Sequence, residues 1–296
     1  MEKSTKFNTN ILGIDIGNAT VKTNTGYVVD SKVTTIEPLS KCDKLFIDGS
    51  TLYIGEGEFD TTYRKIDKKI YIPLLYNAIA NSGNNTFNKI VLALPLSQYK
   101  TDKENLINLV MSNNDKWIEL NDYKRHIVIE DVEVFPEGVF TVKDDYEGII
   151  IDIGGRTTDA AMIEINRGKK KILDPISIPT GTINLYSLFV ESINNKMGLD
   201  LKIRDAERIL KNGLILDGNY KNIDFAYNVF TDYVEDLVSQ LQVKYSIRTS
   251  FISLTGGGAT LTYEYFKKRI GNNVIKQDNC LMANANNLYE LGTNIF

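Results

Sequence analysis

Residues 148–159 read Gly-Ile-Ile-Ile-Asp-Ile-Gly-Gly-Arg-Thr-Thr-Asp, an apolar run that ends in an acidic residue and a glycine-rich turn. An uninterrupted β-branched run of this kind predicts a strand that is buried on both faces. The turn that follows consists of small and hydroxyl residues, and its glycines let backbone N–H groups approach an anion closely. The stretch therefore predicts a buried strand that presents Asp152 and a phosphate-sized turn at its end.

The same unit occurs near the N-terminus. Residues 14–17 and residues 151–154 both read Ile-Asp-Ile-Gly, and a threonine follows each copy, at Thr20 and at Thr157. A single turn of this type also fits a hairpin without any ligand, since short glycine motifs match often. Its duplication about half a chain apart predicts two halves of similar design. Carboxylates such as Asp15 and Asp152 beside phosphates act through a hard cation, and Lys22 offers a positive charge after the first turn.

Composition limits the classes of function. The chain has 296 residues, of which 43% are hydrophobic and 24% are charged, and its net charge is −4. These values are typical of a globular protein with one large domain or two smaller ones. A mildly acidic chain lacks the broad basic surface of a direct DNA binder, so we expect contact with nucleic acid only through a partner. Cys42 and Cys280 are expected to be reduced thiols, and no signal peptide or membrane span is recognisable, which together predict a cytoplasmic protein.

Local patterns predict the secondary structure. Residues 21–29 are predicted to form one returning strand, and residues 166–169 a hairpin turn. Thr101 and Glu104 match a capping box, which predicts a helix that starts there and runs to about residue 113. Residues 222–245 carry an apolar face with helical spacing and predict one long amphipathic helix. A last helix is predicted over residues 284–291.

Three further motifs have both a functional and an ordinary interpretation. Residues 255–260 read Thr-Gly-Gly-Gly-Ala-Thr between a predicted strand and a helical pattern. They are typical either of a nucleotide-binding loop or of a flexible turn without a ligand. Glu207 and Lys211 lie four residues apart on a predicted helix, where an ordinary ion pair explains them. Glu137 lies in a Pro-Gly turn, and it is a solvated turn residue unless that turn faces a binding cleft.

Taken in order, these motifs resemble the actin and sugar-kinase superfamily. Residues 15–17 are similar to its first phosphate loop, residues 152–159 to its second, and residues 255–259 to its adenosine loop. Gly181 and Thr182, with the helix that follows, are similar to its second connecting segment. Within the superfamily the strongest resemblance is to the ParM-type plasmid-segregation actins, through Leu-Pro-Leu-Ser at 94–97 and Pro-Glu at 136–137.

The resemblance implies a role for individual residues. Asp15 and Asp152 would hold the water shell of Mg²⁺, and Glu137 would orient or deprotonate the attacking water with help from Asp152. Glu207 would bind the ribose. Leu210 and Lys211 would lie near the base. The adenosine and α-phosphate would contact Gly256, Gly257, Gly258 and Ala259. The β- and γ-phosphates would be cradled by Gly17, Asn18, Thr20, Lys22, Gly154, Gly155 and Thr157. Arg156 departs from the family pattern, which has a small residue there, and it either points out of the cleft or contacts phosphate.

The implied fold is α/β: a two-domain, actin-like (ribonuclease-H-like) architecture with a nucleotide cleft between the domains. We expect residues 1–147 to form the first domain with the C-terminal helix 276–296 packed on it, and residues 148–275 to form the second. The implied function is an ATPase that binds Mg-ATP, polymerises, hydrolyses the nucleotide and moves plasmid DNA through a DNA-binding adaptor, with GTP as an alternative nucleotide. Alternatives are another bacterial, phage or archaeal actin-like filament with a different cargo, and a small-molecule kinase of the superfamily, for which no sugar-binding insert is visible.

Overall fold

The computed structural model describes residues 9–296, which form two compact units. Unit 1 contains the described residues up to Thr141 together with Leu281–Phe296, and unit 2 contains Val142–Cys280. Each unit has a separate cluster of buried apolar side chains. Within the described residues, no helix is both long enough and apolar enough to span a membrane.

Unit 1 is built on a nine-stranded sheet. Its strands are β1 (Asn10–Ile16), β2 (Thr20–Thr23), β3 (Val28–Asp30), β4 (Lys32–Thr34), β5 (Asp43–Ile47), β6 (Ser50–Phe59), β7 (Phe87–Leu94), β8 (Asp115–Leu120) and β9 (Tyr123–Pro136). They lie in the order β3-β2-β1-β7-β9-β8-β5-β6-β4. The first two helices are α1 (Tyr71–Ser82) and α2 (Leu96–Met111), and a 3₁₀ turn, Lys65–Asp67, precedes α1.

Unit 2 has a five-stranded sheet and a separate small hairpin. The sheet contains β10 (Gly148–Ile153), β11 (Thr158–Asn166), β12 (Lys169–Ile178), β15 (Ile252–Thr255) and β16 (Val274–Lys276). The hairpin pairs β13 (Leu214–Leu216) with β14 (Asn219–Lys221). The helices are α3 (Thr182–Met197), α4 (Ala206–Asn212), α5 (Asn228–Gln242) and α6 (Ala259–Ile270), with 3₁₀ turns at Ile203–Asp205 and Asp224–Tyr227.

The last helix, α7 (Ala283–Ile295), belongs to unit 1 and packs on β1. Gly13 makes this close approach possible, because a β carbon there would lie 2.2 Å from the carbonyl oxygen of Ala285 and 2.4 Å from the nitrogen of Tyr289. The glycine thus lets a helix backbone contact a strand backbone directly.

The internal repeat predicted from the sequence is confirmed in the topology. The strands β3-β2-β1-β7-β9 and β12-β11-β10-β15-β16 have the same order in the two sheets. In both, the first three strands are antiparallel neighbours and the next two are added in parallel. The two-part α/β architecture with mixed sheets is therefore confirmed.

Two predictions in unit 1 were wrong. Residues 21–29 form two strands and not one, because the chain turns between them: the Thr23 nitrogen donates to the Tyr27 carbonyl at 3.0 Å, and Gly26 has a φ of +93°. The helix α2 begins at Leu96 and not at the capping box. Pro95 ends the preceding strand and starts the helix directly, so Thr101 lies inside it and its hydroxyl donates back to the Gln98 carbonyl at 3.1 Å.

The long helix predicted over 222–245 is shorter, although its apolar face is as predicted. Asn222 forms a local turn, in which its side-chain oxygen accepts from the Asp224 nitrogen at 2.9 Å, and a 3₁₀ turn follows before α5 begins at Asn228. Such side-chain bonds compete with helix formation. The hairpin turn at 166–169 is confirmed, with Arg167 and Gly168 both at positive φ.

Candidate functional site

The two Ile-Asp-Ile-Gly copies fold into the same local structure, one in each unit. We call residues 17–20 loop 1 and residues 154–157 loop 2. The Gly17 nitrogen donates to the Thr20 carbonyl at 3.0 Å, and the Gly154 nitrogen donates to the Thr157 carbonyl at 2.9 Å. Each loop follows a strand whose last residue but one is a buried aspartate. The sequence repeat is therefore a structural repeat at the level of single hydrogen bonds.

In both loops the carbonyl groups are tied back to the protein. In unit 1, Ser31 binds two of these carbonyls: its hydroxyl donates to the Gly17 carbonyl at 2.6 Å, and its nitrogen donates to the Ala19 carbonyl at 2.8 Å. In unit 2 the first nitrogens of α3, at Thr182 and Ile183, donate to the carbonyls of Gly154 and Gly155 at 3.0 and 2.9 Å. The contribution of Ser31 was not predicted, and nothing in the local sequence marks it.

Some N–H groups of the loops remain available. Over residues 9–296, the backbone nitrogens of Asn18, Ala19 and Gly155 donate to no protein acceptor. Successive backbone N–H groups whose carbonyls point away form a concave site for an anion. Loop 1 thus presents two adjacent free N–H groups and loop 2 presents one, and each loop lies next to a carboxylate, an arrangement suited to phosphate oxygens.

Asp15 belongs to a compact cluster of four charges in unit 1. Lys22 lies opposite Asp15 across the β1–β2 pair, and its ammonium donates to Asp15 Oδ2 at 2.8 Å. The Lys65 ammonium lies 4.0 Å from Asp15 Oδ1 and 2.5 Å from Glu137 Oε1. Burial alone would raise the pKa of the Asp15 carboxyl, but the nearby Lys22 and Lys65 outweigh it and hold that pKa below its usual range. Asp15 is therefore a carboxylate at neutral pH.

Glu137 is not a solvated turn residue, since only 13% of its side chain is exposed. Its turn is anchored on two sides: the Glu137 nitrogen donates to the Leu94 carbonyl at 2.9 Å, and the Gly138 nitrogen donates to the Asn284 side chain of α7 at 2.9 Å. The anchoring places the Glu137 carboxylate in the same charge cluster as Asp15, through Lys65. The two acidic residues of unit 1 that the sequence singled out are thus brought together.

Residues 64–68 contribute basic side chains that the sequence analysis missed. Lys65 is the member of this segment that reaches the charge cluster, and its ammonium also donates to the Ala93 carbonyl at 3.2 Å. The Lys68 ammonium donates to the Asn18 side chain of loop 1 at 2.5 Å. Arg64 pairs with the buried Asp102 of α2. No short motif marks these residues, because each acts on a part of the chain that is distant in sequence.

In unit 2 the glycines of residues 256–258 pack against the end of β10. A β carbon at Gly256 would lie 2.2 Å from Asp152 Oδ1, and one at Gly258 would lie 2.2 Å from the Ile153 side chain. Gly256 also has a φ of +80°, where side chains are disfavoured. The predicted contact of these glycines with a nucleotide stays a prediction, and the structure gives two of them a packing role that fixes the surroundings of Asp152.

The α4 residues Glu207, Leu210 and Lys211 lie in unit 2, on a helix that packs against α3. Glu207 and Lys211 form no ion pair within the described chain, so the ordinary interpretation of their spacing was wrong. Glu207 instead lies near the hydroxyl of Tyr186 on α3. Burial first, and then Glu207, raise the pKa of the Tyr186 hydroxyl. Because α3 also holds loop 2 at its first turn, one helix connects Glu207 to that loop.

The arrangement suits Mg²⁺ bound through water and phosphate better than a protein metal cage. Among the described residues, no group of three or more His, Cys, Asp or Glu side chains could hold a metal ion. Asp15 is charged and largely enclosed, and one of its oxygens is already bonded to Lys22. Mg²⁺ keeps several waters when it accompanies nucleotide phosphates, so a single carboxylate beside each loop is sufficient.

Comparisons with known proteins agree with this geometry. The family model described as the N-terminal domain of actin-like proteins matches residues 13–139, and the one described as the C-terminal part of an archaeal, MreB-like actin homologue matches residues 150–268. No curated protein sequence matches the chain.

Solved structures of similar fold extend over almost the whole chain. The archaeal actin homologue Ta0583 in complex with ADP has a TM-score of 0.83 at 16% identity, covering 97% of this chain and 100% of that one. A ParM in a 15-stranded filament from Clostridium botulinum has a TM-score of 0.77 at 19% identity, with the same coverage. The AlfA filament of the Bacillus subtilis plasmid pLS32 has a TM-score of 0.65 at 15% identity, covering 95% and 98%. With family models matching both of its halves and a fold that these structures share, the chain belongs to the actin-like proteins.

Proposed function

We propose that this protein binds Mg-ATP, assembles into filaments and hydrolyses the nucleotide. The observation that carries the proposal is the duplicated loop, which presents unpaired backbone N–H groups beside a buried aspartate in each unit. Phosphate recognition by one such loop is common, and two copies suit a nucleotide with several phosphates. ADP bound to the archaeal homologue of the same fold supports a nucleotide as the ligand.

Each residue has a proposed task in this reaction. Loop 1 and loop 2 bind the β- and γ-phosphates, and Lys22 adds a positive charge beside loop 1. Asp15 and Asp152 hold waters of the Mg²⁺ shell; the cation would neutralise charge that develops on the phosphates. Glu137 orients the attacking water and accepts its proton, with Asp152 assisting. Glu207 binds the ribose, the base lies near Leu210 and Lys211, and the adenosine and α-phosphate contact residues 256–259.

A loop with two exposed apolar side chains supports assembly of copies of this chain. Ile36 and Leu39 lie between β4 and β5 with 77% and all of their surface exposed, respectively. We propose this loop as a contact surface, because its two side chains would be removed from water when another copy covers them. When such a loop meets a different surface of the next copy, the contact is heterologous, and it produces an open polymer when the rotation between copies does not close a ring. Filaments formed by ParM and AlfA, which share the fold, point the same way.

We further propose that the filament moves plasmid DNA through a DNA-binding adaptor in the cytoplasm. The net charge of −4 disfavours direct binding to DNA, so a basic adaptor is the chemistry that the proposal requires. The relatives that suggest this cargo are the plasmid-encoded filament proteins of similar fold.

Binding of nucleotide and of Mg²⁺ should depend on each other. Asp15 and Asp152 are proposed to reach the cation only through water, so neither unit alone offers enough ligands for tight binding. Calorimetric titration should show no tight Mg²⁺ binding without nucleotide, and ATP should bind more weakly after chelation of Mg²⁺. Tight Mg²⁺ binding to the nucleotide-free protein would contradict the proposed site.

A further inference from the structure

Among the described residues of unit 1, Lys65 is the most enclosed basic residue, and the proposed reaction has so far given it no task. Its side chain is only 2% exposed, and its backbone nitrogen donates to the Gln98 side chain at 3.0 Å. Lys65 is therefore held at two points: α2 holds its backbone, and the charge cluster holds its ammonium. A lysine loses much conformational freedom when it is held in this way, so the position needs a compensating interaction.

The compensating partners of Lys65 are the two acidic residues of the proposed chemistry. Its ammonium contacts Glu137 Oε1 at 2.5 Å as an ion pair, and Asp15 Oδ1 lies 4.0 Å away. With Lys22 on the other oxygen of Asp15, the cluster contains two positive and two negative charges. A buried charge is tolerated only when it is paired, and each carboxylate in the cluster has a basic partner.

A buried tyrosine hydroxyl borders the same cluster. Within residues 9–296, the Tyr71 hydroxyl has no hydrogen-bond partner. Its pKa is raised by burial first and then by the charges of Asp15 and Glu137, so the ring stays neutral. The cluster is thus enclosed on this side by a group that neither competes for Lys65 nor donates to Glu137.

We propose that Lys65 is a positioning residue, which holds the Glu137 carboxylate in the orientation needed to accept a proton from the attacking water. The inference rests on the proposed ATP hydrolysis. Glu137 has one oxygen against Lys65, which leaves the other oxygen for the water. Without the ammonium, the carboxylate would lose its ion pair, and the like charge of Asp15 would repel it. Lys65 acts through Glu137 and is not itself expected to touch the reacting atoms.

A double-mutant cycle on the turnover rate tests this role. Lys65→Met should lower kcat by about as much as Glu137→Gln, at least about a hundredfold, with a much smaller change in KM. In the Glu137→Gln background, adding Lys65→Met should lower kcat by little more. Lys65→Arg, which keeps the charge, should recover part of the rate.

Lys69→Met is the matched control, since Lys69 is exposed in the same segment, and it should have the rate of the parent protein. A Lys65→Met that lowers kcat by the same factor in both backgrounds, or not at all, would overturn the inference.

A second cycle does not need hydrolysis, and it separates this inference from the proposed function. Lys65→Met leaves Glu137 as an unpaired buried carboxylate, so it should lower the thermal unfolding midpoint strongly. Lys65→Met combined with Glu137→Gln removes both members of the pair. The unfolding midpoint of the double variant should lie clearly above the value expected from adding the losses of the two single variants. Additive losses would overturn the pairing on which the inference depends. If the parent protein hydrolyses no nucleotide, the proposed function fails, and this second cycle still tests the pairing.

Discussion

Replacing Glu137 by glutamine is expected to slow phosphate release at least about a hundredfold, the lower end of what general-base contacts contribute. The variant should bind ATP nearly as the parent protein does, because the loops and Mg²⁺ provide that affinity. Glutamine keeps the size of the side chain and an oxygen that faces Lys65, so the fold should be retained. Only the ability to accept a proton is lost.

The measurement is phosphate release at saturating Mg-ATP, together with calorimetry for affinity. Glu133→Gln is the matched control, because Glu133 lies on β9, the strand that ends directly before Glu137, and pairs with Lys103 at 3.6 Å. It should hydrolyse at the rate of the parent protein. Filaments of Glu137→Gln should also persist longer, since the slow step would be the one that weakens the lattice. Unchanged hydrolysis would leave Glu137 with only its structural ion pair.

Gly256→Ala is expected to destabilise unit 2 and to weaken nucleotide binding together. The new methyl group would lie 2.2 Å from Asp152 Oδ1 and 2.6 Å from the Ile153 carbonyl oxygen. The positive φ of the residue alone costs about 1–2 kcal/mol for a residue with a side chain. Forcing the neighbours apart adds about 1–3 kcal/mol. Because Asp152 must move, the proposed Mg²⁺ contact should be lost as well.

Gly218→Ala separates strain from crowding. Gly218 has a φ of +76°, close to the +80° of Gly256, but a β carbon there would meet no atom within 4 Å. This control should therefore lose only as much stability as the backbone conformation costs, and it should keep its affinity for Mg-ATP. Denaturant unfolding and calorimetry on both variants give the comparison. Equal loss of stability and equal affinity would show that the contact between Gly256 and Asp152 has no consequence.

The parts of the fold that the sequence predicted are those that local patterns determine. The strand β10 and its turn follow from an unbroken β-branched run and a glycine pair, and the copy of this pattern at residues 11–17 was sufficient to predict the repeat. The apolar face of α5 was equally clear. The predicted start of α2 was wrong because the capping pattern at Thr101 competes with Pro95, which begins the helix earlier. Local patterns alone do not decide between two possible helix starts.

The parts of the candidate site that the sequence missed depend on contacts between distant segments. Ser31 ties back loop 1, and Lys65 joins Glu137 to Asp15, yet neither residue lies in a recognisable motif. Gly256 was predicted as a ligand contact, whereas the structure also places it against Asp152. A glycine pattern shows that something approaches the backbone closely, but it does not show whether that neighbour is a ligand or the protein itself.

The central claim is that nucleotide drives the assembly of this protein, and sedimentation tests it most directly. Purified parent protein would be centrifuged over a range of concentrations with Mg-ATP, with Mg-GTP, with a non-hydrolysable analogue and without nucleotide. We expect protein in the pellet only with a triphosphate and only above a threshold concentration, with the analogue giving the most persistent polymer, because triphosphate binding selects the assembling conformation. Protein that remains entirely in the supernatant under every one of these conditions would contradict the claim.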